Sequence, residues 1–178
     1  MPAEGETVRR PTVRRELERL ALGEGREVAA TLYGTVIVMA TLTDAYATEK
    51  HPLKLAVIVL STSLVIWVAH LHAEGLARSI AEQRGLTWAD TRHVARRERG
   101  ILLAAAPPAL ALVLGAAGVV EEPTAVWLAL GLGVATLFAE GVRYARLERL
   151  GLVQALVPIS VNLGLGLVIV VLKVAFDH

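Results

Sequence analysis

A polytopic, all-α membrane helix bundle of five spans, with its amino terminus cytoplasmic, is predicted by three features of the chain. The 178 residues are 54% hydrophobic. The apolar residues gather into five runs, each long enough to cross a hydrocarbon core of about 30 Å. All 15 arginines fall before the first run, between the second and third, or between the fourth and fifth, whereas Lys50, Lys54 and Lys173 fall on the other side. That alternation is the positive-inside pattern, which keeps the arginine-bearing segments in the cytoplasm and puts the carboxyl terminus outside.

Each element follows in order. Residues 1–27 read as a basic cytoplasmic arm in which Arg9, Arg10, Arg14, Arg15 and Arg19 mix with Glu16, Glu18, Glu24 and Glu27. Its first ten residues are expected to be disordered, and Pro11-Thr12 can open a helix that Glu16 to Leu22 continues along the surface. The membrane domain is expected over 28–176, with spans at 28–47, 53–71, 101–120, 123–139 and 151–172. The tight connections Thr48 to Pro52 and Glu121 to Glu122 make antiparallel neighbours of spans one and two, and of three and four. Between the hairpins lies a long cytoplasmic connection with six arginines, in which 78–99 reads as an interfacial amphipathic segment among anionic lipid headgroups, or simply as a topology signal. Ala45-Tyr46-Ala47 resembles a signal cleavage site, but the apolar run before it is longer than the usual 7 to 15 residues, so an uncleaved span is the expectation.

Composition excludes several function classes. With no cysteine, disulfides, thiolate metal sites and a cysteine nucleophile are ruled out. No His-Glu-x-x-His, Gly-x-Ser-x-Gly, P-loop or dinucleotide fingerprint occurs, so neither enzymatic activity nor a catalytic residue, cofactor or metal is expected. The arginines lie beside membrane spans, which favours topology and lipid contact over nucleic acid. Arginine-rich, alanine-, valine- and leucine-rich composition is what GC-rich codons produce and points to a bacterial plasma (inner) membrane.

An internal similarity suggests duplication. Val68-Ala69-His70-Leu71-His72-Ala73-Glu74-Gly75 reads against Val134-Ala135-Thr136-Leu137-Phe138-Ala139-Glu140-Gly141 with six of eight positions identical. Two parallel hairpins related by an axis along the membrane normal, plus an unpaired fifth helix, are therefore expected. Small residues at four-residue spacing, Ala111 and Gly115, Gly131 and Ala135, Ser160 and Gly164, mark packing seams within the bundle or between subunits.

Polar side chains in a bilayer are costly, so their positions are informative. Ser63, Trp67, His70 and Glu74 share one helix face; Thr136, Glu140 and Tyr144 share another; Gln154 and Asn162 lie on a stripe through Pro158. Together these predict a polar vestibule opening inward, with Glu74 and Glu140 as a carboxylate pair at its mouth and His70 deeper as a proton-responsive group. The alternative is that each glutamate sits in the headgroup layer beside Arg78 or Arg143. His70-x-His72-x-Glu74 puts only His70 and Glu74 on one face, so a metal site would need at least one further ligand from another helix, and none is expected. Pro107-Pro108 frees the carbonyls of Leu103 and Ala104 and predicts a kink or hinge, with Asn162 as one group able to satisfy a freed carbonyl. Asp44 and Thr41 at the outer end of span one lack partners at a diagnostic spacing.

The basic arms, the paired hairpins and the run Trp67-Val68-Ala69-His70 resemble small multi-pass bacterial integral membrane proteins that carry no assigned activity. That resemblance implies a bundle fold and no particular functional residue. Two functions are compatible with the chain: a small-solute or ion transporter or channel using the vestibule, or a non-catalytic scaffold or accessory subunit acting through its arginine-rich cytoplasmic surface. Strong charge segregation implies that any homo-oligomer is parallel.

Overall fold

The computed structural model describes residues 10–85 and 87–176, with side chains described within 23–175. Six helices follow one another: α1 (Arg10–Thr48), α2 (Pro52–Glu82), α3 (Trp88–Arg97), α4 (Arg99–Ala116), α5 (Glu122–Leu147) and α6 (Leu152–Phe176). Five contain stretches long and apolar enough to cross a membrane, Gly23–Thr48, Pro52–Glu82, Arg99–Ala116, Glu122–Leu147 and Leu152–Ala175. The described chain is all-helical, and these stretches mark it as a multi-pass membrane protein.

Local chemistry explains the helix ends. His51 takes the extended conformation that a following proline imposes, and Pro52 then occupies the first turn of α2, where a missing N–H costs nothing. α4 stops at Ala116 rather than near 120 because Gly118 adopts φ +73°, closing the helix with Val119 N–H donating to Leu114 O and Gly118 N–H to Gly115 O. α5 ends in the same way on Arg149 at φ 53°, a position glycine would fill more cheaply. α1 is a single helix through the expected arm and first span, since nothing between Glu16 and Val28 breaks the helical bonding. The expectation of disorder for residues 1–9 lies outside the described residues. α2 runs well past Leu71 to Glu82; its 31 residues reach about 46 Å at 1.5 Å each, longer than the hydrocarbon core.

α1 and α4 pack against each other, and each packs on both α2 and α5. α2 and α5 touch only slightly, lying on opposite sides of the α1–α4 pair, while α6 rests on α5 and α1. Directions alternate: Glu27 near the start of the first span meets Arg99 at the start of α4 and Arg143 near the end of α5, whereas Tyr46 at the other end of α1 meets Lys173 near the end of α6. The described arginine side chains therefore gather at one end of the bundle.

The core is Val38, Met39 and Leu42 of α1, Leu55, Ala56 and Val59 of α2, Ala105, Ala111 and Leu112 of α4, Val126, Ala129, Leu130 and Leu137 of α5, and Ile169 of α6. Lipid tails are as apolar as leucine, so close packing rather than water exclusion must hold such a core. Small residues supply the closeness. Gly34 of α1 lies against the Ile101 backbone of α4, Gly100 of α4 against Thr31, and Gly115 against Ala125. Of the three expected seams, Ala111 and Gly115 are buried within the bundle, whereas Gly131 and Gly164 face open space.

α3 lies in the connection expected to be amphipathic, and its cap is built from Thr87 and Asp90, each bonding the other's backbone N–H. Arg84 adds a two-pronged bridge to Asp90 at 2.8 and 3.1 Å. These bonds, the Arg84 guanidinium first and Thr87 second, hold the Asp90 carboxyl far below its ordinary range. A depressed folded-state value means the carboxylate's contribution is complete above the ordinary aspartate range and is lost only as pH falls through the lowered one. Asp90→Asn should therefore speed amide hydrogen exchange across 84–97 several-fold at neutral pH, while the wild-type segment stays protected down to pH 4. Equal protection in the two proteins would show the cap to be unimportant.

Candidate functional site

The structure distributes the sequence-predicted polar residues over separate places. His70 and Glu74 come together in a hollow of about 260 Å³ at the arginine-rich end, lined by Arg26, Ala29, Ala30 and Tyr33 of α1, by these two residues of α2, and by Glu98 at the α3–α4 joint. The Tyr33 and His70 rings lie 5.1 Å apart at a tilt of 43°. Arg26 donates from Nη1 to Glu74 Oε1 at 3.1 Å, so the carboxylate is bridged to α1 rather than to Arg78 on its own helix.

Gln154 and Asn162 line a second hollow of about 620 Å³ between α1, α5 and α6, together with Leu32, Tyr144 and Pro158. Asn162 donates from Nδ2 to Leu137 O at 3.3 Å, across the α5–α6 interface. It does not serve Leu103 or Ala104, because α6 makes no contact with α4. α4 passes through both Pro107 and Pro108 as one helix, with Pro108 buried.

Two candidates spend their hydrogen bonds locally. Ser63 donates to Val59 O at 2.8 Å and Thr136 to Leu132 O at 2.9 Å, the usual way a helical hydroxyl satisfies itself away from water. Glu140 lies 3.7 Å from Arg143 on its own helix, and its Oε2 accepts no hydrogen bond. Glu74 and Glu140 are not neighbours, because α1 and α4 stand between α2 and α5.

A charge cluster that joins three helices centres on a residue that sequence reasoning left in the basic arm. Glu27 accepts from Arg99 Nε and Nη2 at 3.2 and 2.9 Å through Oε1, and from Arg143 Nη2 at 3.1 Å through Oε2. One carboxylate thus ties α1 to α4 and α5. Tyr33 and Arg26 were also missed, although a signal existed: Arg26, Ala29, Ala30 and Tyr33 follow the i, i+3, i+4, i+7 pattern of a single helix face.

At the opposite end, Lys173 is buried at 4% exposure with its ammonium 4.7 Å from the Tyr46 ring and 4.4 Å from the Trp127 ring, and Lys50 sits 3.7 Å from the Tyr46 ring. Such contacts compensate a cation taken out of water. Among the described residues no group of three or more His, Asp or Glu is placed to hold a metal ion. Comparison of the chain with protein-family models, with curated proteins and with solved structures finds no match.

Proposed function

We propose that this is a transport or channel-type protein for a small solute or ion in a bacterial plasma membrane, with the hollow between α1 and α2 as its cytoplasmic mouth. The observation that carries this reading is the convergence of Arg26, Tyr33, His70, Glu74 and Glu98, from three parts of the chain, on one recess at the end of the spans. Ionisable and aromatic groups brought from separate helices to one recess at the end of the spans are the kind of lining a solute or proton path needs at its mouth. The arginine-rich end is taken as cytoplasmic and the Lys50 and Lys173 end as external, on the charge rule alone.

We further infer two parallel hairpins, α1–α2 and α3/α4–α5, with α6 unpaired. Residues sixty-six positions apart support this: Val28 and Val94 are both buried, Gly34 and Gly100 both sit at the α1–α4 crossing, and Glu74-Gly75 matches Glu140-Gly141. Gln83 and Arg149, the two positive-φ residues other than glycine among those described, stand at the same offset. An axis between α1 and α4 exchanges α2 with α5, which is compatible with their contacts. In this scheme the Glu27 bridges to Arg99 and Arg143 fasten the cytoplasmic ends together, and a transport cycle must loosen them.

The test is flux into liposomes carrying the purified chain, read as entrapped-dye pH change and as solute-induced current over a panel of ions and small solutes. Single cysteines introduced at Glu121 and Arg149 report orientation in the same vesicles. At least one solute or ion should move, and Glu74→Gln or His70→Ala should lower that flux about tenfold or more, a loss of roughly 1.4 kcal/mol in the coupling step. Absence of flux across the panel, or full flux in both variants, would remove the reading.

A second reading rests on Trp88, 81% exposed at the start of α3 one helical turn before Arg92, and on Ile80, 69% exposed near the end of α2. Exposed apolar side chains on the arginine-bearing connection suit an interface with anionic lipid or with a partner subunit. A scaffold would show no flux and would lose its partner on Trp88→Ala.

A further inference from the structure

The recess at the inner end leaves unexplained a second polar feature, at the other end of α1. Between α1 and α6 the outer half of the bundle holds a crevice of about 440 Å³, lined by Ala40, Thr43, Asp44 and Ala47 of α1 and by Ile169 and Leu172 of α6. Its volume falls within the roughly 300–1,000 Å³ of small-molecule sites. Four of its six walls are apolar, and the two polar ones are adjacent in sequence.

Among the described residues, both polar groups lack a hydrogen-bond or ion-pair partner. The Thr43 hydroxyl is buried and makes no hydrogen bond, although a helical threonine ordinarily donates to the carbonyl a turn earlier, as Thr31 and Thr35 do at 2.9 and 2.8 Å. A buried hydroxyl left unbonded is costly. The Asp44 carboxylate lies within the apolar stretch Gly23–Thr48 and, among the described residues, has neither an ion pair nor a hydrogen bond. The carboxylate is exposed about 6 Å before the helix ends at 1.5 Å per residue, so it stands at the rim of the crevice with its charge open to a cationic group. The nearby lysines do not provide one. Lys50 and Lys173 stand over the Tyr46 ring, and Tyr46, two residues on, projects about 200° around the helix from Asp44.

We propose that this crevice binds a primary ammonium group carried on a short apolar chain, with Asp44 as its counter-ion, Thr43 as a hydrogen-bond acceptor and the alanine, isoleucine and leucine walls around the chain. The chemistry selects this class. An anion is repelled by Asp44; a divalent metal needs several oxygen ligands where one carboxylate and one hydroxyl are present. A neutral solute would leave the charge unpaired. An ammonium, with three N–H donors, pairs with the exposed Asp44 carboxylate and reaches the Thr43 hydroxyl once that side chain turns about χ1 into the crevice. The same headgroup occurs on a free alkylamine and on phosphatidylethanolamine.

Octylammonium, octanol and octyl sulfate are titrated calorimetrically into the purified full-length chain in maltoside detergent. In parallel, mass spectrometry of the intact protein from micelles holding equal phosphatidylethanolamine and phosphatidylcholine reads lipid retention. The wild type should bind octylammonium at one site and neither of the other two, with Asp44→Asn weakening it about tenfold or more and Thr43→Val about threefold. Asp44 is exposed and asparagine is isosteric, so an unchanged melting temperature separates a lost site from a lost fold. Leu172→Trp, which fills the crevice and keeps the charge, should abolish binding as well. Asp44-dependent retention of phosphatidylethanolamine without octylammonium binding assigns the site to lipid; octylammonium binding without lipid preference assigns it to free amines; both uphold the proposal. Equal octylammonium affinity and lipid retention in wild type and Asp44→Asn, or tight binding persisting in Leu172→Trp, would overturn it. The outcome is independent of flux through the inner recess.

Discussion

Gly34→Leu is expected to lower the melting temperature by roughly 6–12 °C, corresponding to about 3 kcal/mol, and to cut the yield of folded protein sharply. A Cβ at Gly34 would stand 2.8 Å from Ile101 Cα and 3.0 Å from Ile101 O. These are backbone atoms, so relief requires moving α4 away from α1, and both central helices carry the packing of α2 and α5. Two comparisons separate this steric cause from a general penalty for replacing glycine. At Gly133 the obstacle is the Met39 side chain, which can rotate aside, so Gly133→Ala should cost much less. At Gly131 nothing lies within 4 Å, so Gly131→Ala should be neutral or stabilising through helix propensity, by up to about 1 kcal/mol. Thermal denaturation in one detergent ranks the three. A Gly34→Leu protein melting within about 2 °C of wild type would mean that the α1–α4 crossing is not close in the membrane.

Glu27→Gln should produce the next largest loss. A hydrogen bond to a charged group is worth about 1.5–3 kcal/mol, but Arg99 and Arg143 are 61% and 39% exposed, and solvent screening reduces the benefit. A net cost of about 1–2 kcal/mol follows, or roughly 3–6 °C. Glu74→Gln removes only the Arg26 bridge, whose partners are 51% and 32% exposed on the side chain, and should change stability by no more than about 0.5 kcal/mol. The contrast is informative because both glutamates lie at the same end of the bundle and differ mainly in how many helices they join. Pairing Glu27→Gln with Arg143→Gln in a double-mutant cycle should reveal coupling between the sites. Equal melting shifts for Glu27→Gln and Glu74→Gln would count against the three-helix bridge. The same pair distinguishes stability from transport, since only Glu74 lines the recess proposed as the mouth.

The spans were legible because a bilayer imposes a length and a polarity on every crossing segment, and because arginine placement repeats that division independently. Helix ends were less so. Pro52 announces the start of α2, but the extension of α2 to Glu82 depends on polar residues that form helix well and carry no hydropathy signal. The end of α4 rests on Gly118, which composition alone does not distinguish from the glycines inside helices. Among the polar residues, the shared face of His70 and Glu74 was readable from their spacing and the structure keeps them together. Their grouping with Thr136, Glu140, Gln154 and Asn162 was not readable, because spacing describes one helix at a time. Glu27 shows the converse: surrounded by charges in sequence, it looked like one member of a solvated arm, and only the meeting of three helices gives it two arginine partners.

By itself the amino-acid sequence determined what is set by the solvent: helices as the secondary structure of the described residues, five segments able to cross a membrane, and arginines gathered at one end. Those properties depend on each residue's own transfer energy and on its neighbours within a helical turn, which are local quantities. The tertiary structure alone decided which helices lie at the centre, which polar groups meet, and which remain without a partner, as Thr43 and Asp44 do. Contacts between helices depend on the rotation and crossing of whole segments, where one glycine at a crossing point matters more than the hydropathy of the segments around it.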